Sequence, residues 1–97
     1  MADIITANKI QSKGEIRQWD IDFSADLQSG VTVVSATATH TPPSGTASTP
    51  PVGAIVNGVV PVRLGPLSVT GLHVLDILAT YSDGEKSEVK LNILVEF

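Results

Sequence analysis

At 97 residues the chain is the size of one domain, and its 42% apolar content is ample for one packed core. Aromatics make up only 4% of the chain, so Val, Ile, Leu and Ala must fill that core. The net charge is −4, and the six basic side chains are scattered from Lys9 to Lys90 with no stripe. Phosphate-backbone binding needs clustered Lys and Arg, so nucleic acid is excluded as the expected partner.

Cysteine is absent, which removes disulfides and thiolate metal sites and suits a reducing cytosol or a particle assembled there. The start, "MADIITANK", lacks a charged region followed by an apolar run, so no secretion signal is expected. Nor does any stretch approach the ~20 apolar residues of a membrane-spanning helix.

Residues 1–13 read as an N-terminal arm bearing Ile4, Ile5 and Ile10 but little regular pattern. Two readings stand side by side. The segment is an extra edge strand of its own domain, or it lies on a neighbouring subunit and adds main-chain pairing there.

The domain proper is expected over residues 14–97. It opens on "GEIRQWDIDFSADL", where Asp20, Asp22, Ser24 and Asp26 alternate with Trp19, Ile21 and Phe23. Alternate oxygens begin a calcium loop, but such a loop wants Gly at its sixth position and a bidentate Glu at its twelfth. Here Ala25 and Val31 stand there. The period of two instead predicts a strand with Trp19, Ile21 and Phe23 in the core and a solvated acidic face. Trp19 is read as a core anchor rather than an interface hot spot.

"VTVVSATATH" (31–40) is β-branched and small, with Val34, Ala36 and Ala38 expected on one face, opposite Ser35, Thr37 and Thr39. Then "TPPSGTASTPP" (41–51) carries Pro42, Pro43, Pro50 and Pro51, which prevent ladder formation and put the segment on the surface as a loop. "VGAIVNGVVPVRL" reads as two short strands joined at Asn57-Gly58, with Pro61 confining the second to an edge or a bulge.

The last hairpin fixes its own register. Leu75, Ile77 and Ala79 precede "YSDGEK", and Val89, Leu91, Ile93 and Val95 follow it; all are odd-numbered. Directly opposed residues share a face, so odd must face odd and the loop must have an odd length. A loop of Ser82, Asp83 and Gly84 sets Ile77 opposite Val89 and Leu75 opposite Leu91, with Gly84 in the left-handed bulge position. Short strands with turn signals at this spacing predict an all-β sandwich or small barrel.

Candidate chemistry is thin. His40 and His73 lie 33 residues apart and read as separate turn or rim residues. No G-x-S-x-G elbow or phosphate-cradling glycine loop occurs. Asp20 and Asp22, exposed on one strand face, lack the pocket that would separate their pKa values for acid–base work. The expectation is a protein that is not an enzyme, with no cofactor and no metal.

Lys13-Gly14-Glu15, Trp19, Ile21-Asp22-Phe23-Ser24 and Leu27 resemble the opening of small immunoglobulin-like virion proteins of tailed bacteriophages. Val34-Ser35-Ala36-Thr37 resembles their second strand, and Gly71–Phe97, through "ATYSDGEKSEV", their closing hairpin. The likeness covers about 85 residues; the Pro-rich insert is longer than the family pattern, and His73 stands where an aromatic is common.

What the resemblance implies is an immunoglobulin-like antiparallel β-sandwich of about seven strands with an extended N-terminal arm. It implies a structural component, of the fibre–tail adaptor or capsid-decoration type, in a virion assembled in the host bacterial cytoplasm. Its partners would be phage capsid or tail proteins, met in multiple copies on a symmetric assembly, with no membrane involved. The arm (Ile4, Ile5, Ile10) and the loop (Pro42, Pro43, Pro50, Pro51) are the expected contacts. Two alternatives remain: an immunoglobulin-like module for carbohydrate or a host surface, using Trp19 or Tyr81, and a calcium-dependent or catalytic domain using Asp20, Asp22 and Asp26.

Overall fold

A computed structural model describes residues 5–96, with side-chain surroundings from residue 9 onward. The strands are β1 (Ile5–Ser12), β2 (Arg17–Asp22), β3 (Val33–Thr41), β4 (Val59–Leu64), β5 (Gly71–Tyr81) and β6 (Lys86–Glu96). A single 3-10 turn, Ser24–Asp26, is the helical element among the described residues. One sheet has the order β1-β6-β5-β3 and the other pairs β2 with β4. An antiparallel run of β3, β5 and β6 facing an antiparallel β2–β4 pair is the arrangement of an immunoglobulin-like sandwich. The chain is all-β, as its period-two pattern predicts.

The closing hairpin has the expected register: Leu75 opposes Leu91 and Ile77 opposes Val89. Tyr81 N–H donates to Glu85 O across Ser82, Asp83 and Gly84, and Gly84 has φ +91°. Nothing lies within 4 Å of a Cβ built on Gly84, so backbone conformation, not space, selects glycine there.

Asn57 and Gly58 both have positive φ, and Val56 and Val59 exchange backbone hydrogen bonds across them, as a two-residue hairpin requires. Upstream of that turn the expected strand contributes bridges at Val52 and Val56 rather than a ladder. Pro61 opposes Asp20 of β2, while its carbonyl accepts from Gly53 on the other side. Its ring nitrogen therefore also points away from β2, where a missing N–H breaks no β2 bond.

Two core expectations need correction. The register shifts between Val33 and Ser35, so Val33 takes the inward position and Val34 is 58% exposed. A bulge adds one residue to one strand and reverses the facing of what precedes it. Trp19 keeps its phase with buried Ile21 and Phe23 but is only half-buried. Its indole N–H needs an acceptor, and it reaches Gln11 Oε1 at 3.0 Å, which holds the ring at the open side between β2 and β1.

The first segment resolves the pair of readings left open for it. Over its described part it is an edge strand, β1, running parallel to β6 from Ile5↔Val89 to Ser12↔Glu96. Gln11 explains why the segment belongs to the domain. It is 1% exposed, and its Nε2 donates to Glu15 O (2.8 Å) and Leu64 O (3.1 Å). With Oε1 accepting from Trp19, one side chain closes the seam between the two sheets. Ile4 and the side chain of Ile5 lie outside the described residues.

Candidate functional site

Two surfaces meet near the N-terminal end of β5. The first is the outer face of the large sheet. Ile10 opposes Leu94, and Leu94 opposes Leu72, so these three form one row across β1, β6 and β5. They are 61%, 39% and 55% exposed. Scattered surface leucines are ordinary; an apolar row spanning three strands and ending at a sheet edge is not.

Farther along the same face the character changes. Lys90 Nζ bonds Asp76 Oδ2 at 2.8 Å and lies 3.9 Å from Glu88. The Asp76 carboxylate holds the Lys90 ammonium charged above its usual range, while Asp76 also raises Glu88. The face thus carries an apolar end and a charged middle.

The second surface is the Pro-rich loop, which folds back on β3 rather than standing free. His40 and Ser48 exchange backbone hydrogen bonds at 2.8 and 2.9 Å. The Arg63 N–H reaches Pro51 O at 3.4 Å, tying the far end of the loop to β4. Pro42 and Pro50 are half-buried, while Pro43 and Pro51 are exposed. Pro43 also lies over Gly71, where a Cβ would come within 3.2 Å of its Cγ. Pro43 thereby packs on Gly71, at the same end of the sheet as the Ile10 row.

Beneath the loop lies what separate readings of two histidines miss. His40 and His73 are both buried, and His40 Nε2 is 2.7 Å from His73 Nδ1. His73 Nε2 bonds Val69 O at 2.7 Å, and Ser48 Oγ stands 3.4 Å from His40 Nδ1. Burial, and after it the charge of His73, hold His40 below its ordinary basicity. Alternation could have found this pair. His40 continues the inward phase of Ala36 and Ala38, and His73 that of Leu75 and Ile77, so both point into the sandwich.

At the other end of β5, Tyr81 O–H donates to Asp26 Oδ2 at 2.7 Å. Burial, then that bond, push the phenol up to about 12. The acidic residues of the calcium alternative are therefore spread over different tasks. Asp20 accepts from Gln18 Nε2, Asp22 from Ser24 N–H, and Asp26 from Tyr81. Among the described residues, no three His, Asp or Glu side chains gather as a metal set.

The fold and these surfaces define an immunoglobulin-like sandwich with an apolar outer row. No protein-family model matches the chain, and no curated protein does. Among solved structures it is similar to InlP of Listeria monocytogenes, with a TM-score of 0.54 and 17% identity over 93% of this chain. The match spans 26% of the InlP chain. At that identity the likeness is one of fold.

Proposed function

We propose that this chain is a non-enzymatic module of a tailed-phage virion, docking on a capsid or tail protein through the outer face of its large sheet. The observation that carries docking is the Ile10–Leu94–Leu72 row beside the open edge of β1. The particle as partner is supported by the resemblance of the opening and closing motifs to small virion proteins. A row of three aliphatic side chains supports a modest single contact, and many identical copies on a symmetric shell or tail multiply it.

The carbohydrate alternative is less well served. Sugar platforms need an exposed aromatic face, whereas Tyr81 is buried and the Arg17 guanidinium lies 5.4 Å from the Trp19 ring centre.

The test pairs Ile10→Asp with Leu72→Asp, both at exposed positions. The variant should keep the wild-type circular dichroism and thermal midpoint yet fail to co-sediment with particles of the phage that encodes it. A folded variant that joins particles at wild-type level overturns the proposal.

A further inference from the structure

We propose that the His40–His73 pair is a proton-sensitive latch, which holds the Thr41–Pro51 loop on the sandwich while both rings are neutral and lets it go in acid.

The ring geometry fixes where every hydrogen sits. The two imidazole planes agree within 5°, and their facing nitrogens are 2.7 Å apart. Rings packed face to face keep their atoms ~3.5 Å apart or more. The rings therefore lie end to end, as a centroid separation of 5.0 Å also requires. Val69 O can only accept, so His73 Nε2 carries a hydrogen. Nδ1 of that neutral ring is then bare, so His40 Nε2 carries the hydrogen between them. His40 Nδ1 is left as the lone pair facing Ser48 Oγ.

A hydrogen-bonded line thus runs one way, from Ser48 through His40 and His73 to Val69. It has one vacancy for a further proton, at His40 Nδ1. A proton there leaves the inter-ring bond intact but puts a cation in the site. A second must sit on His73 Nδ1, and the inter-ring bond is then lost because both facing nitrogens bear hydrogen.

Among the described residues, nothing around the pair compensates that charge. Residues 41–51 and 64–70, which cover it, contain no ionisable side chain. Opposite His73, β6 presents Ile93. From β4, Arg63 lines the same cavity as His40 and adds a like charge. Asp76 of β5 and Lys90 of β6 pair on the opposite face of the sheet. Burial and an uncompensated neighbour both disfavour the charged form, in line with the lowered basicity of His40.

The sign of the effect follows. The unfolded chain binds a proton at His40 near the ordinary value of 6.5, and the folded chain binds it there only at lower pH. The stabilising contribution of His40 is complete above that value and is lost as pH falls. The loop end is where the loss is felt, because His40 holds Ser48 and His73 holds Val69.

Nuclear magnetic resonance on the wild-type chain tests this without a variant. The nitrogens report tautomers, the ring C–H shifts report titration, and amide exchange from pH 8 to pH 4.5, corrected for intrinsic rates, reports opening. Both rings should carry their hydrogen on Nε2 at pH 7.5, and His40 should titrate below 6.5. Protection of the His40 and Ser48 amides should fall by up to tenfold per pH unit below 6.5 and level off once the folded His40 is itself protonated, one proton being linked to opening. The Ile77 and Val89 amides should stay protected. A His40 ring that titrates at or above 6.5, or loop amides indifferent to pH below 6.5, overturns the latch.

Discussion

β5 is fastened at both ends, and the two fastenings are chemical opposites. At its C-terminal end Tyr81 donates to a carboxylate; at its N-terminal end one neutral histidine donates to another. Asp26 is half-buried, so water shares in supporting its charge. The histidines are buried with no counter-charge among the described residues, so their bond depends on neutrality. The phenol, raised from 10 to about 12, contributes stability that is complete below its unfolded value and is lost as pH rises through 10 to 12. The histidine end loses its contribution in the opposite direction, as pH falls below 6.5. Ties of similar length at one strand's two ends therefore limit the fold from opposite sides of neutrality.

The largest expected effect belongs to neither end but to the strand between them, and it scales the rest. Ile77 is fully buried midway along β5. Ile77→Ala should lower unfolding free energy in urea by about 2–5 kcal/mol, with little change in its dependence on pH. Next comes His73→Phe, which strands the Nε2–H of His40 and the Val69 carbonyl. It should cost about 1–3 kcal/mol at pH 7.5 and make the acid limb of a pH–stability curve shallower without removing it, since burial still disfavours charge on His40. Tyr81→Phe should cost about 1 kcal/mol, because water can replace the phenol at the half-buried carboxylate. It should also remove the alkaline limb and leave the acid limb in place. The smallest change is Gly84→Ala, about 1 kcal/mol from the positive φ, since a Cβ meets nothing there. If His73→Phe and Tyr81→Phe flatten the same limb, the contrast between the ends is wrong.

How much of this the sequence discloses depends on the range of each interaction. The closing hairpin is legible to the residue because parity and a three-residue loop are local constraints, and Ile77↔Val89 follows from them. The Asn57-Gly58 turn is legible for the same reason. The Val33–Ser35 bulge is not, because neither residue type marks it and the face it reverses is set by β5 across the sheet. Gln11 reads as a polar residue in an arm, since its three partners lie at Glu15, Trp19 and Leu64. Deleting residues 1–12 therefore unseats Trp19 and uncovers β6, and such a truncation probes folding as much as docking. Treating His40 and His73 separately hides the pair, because the contact spans 33 residues of sequence. Of the expected contacts, Ile10 shares the outer row with Leu72, Pro43 packs on Gly71, and Pro50 and Pro51 line the cavity beside His40.

In the proposed function the apolar end of the outer sheet face meets a phage particle. Electron cryo-microscopy of that particle with the protein bound tests it most directly. Partner density should close over Ile10, Leu94 and Leu72. Density meeting the Asp20 and Asp22 face of β2 instead, with the aliphatic row left to solvent, would contradict it.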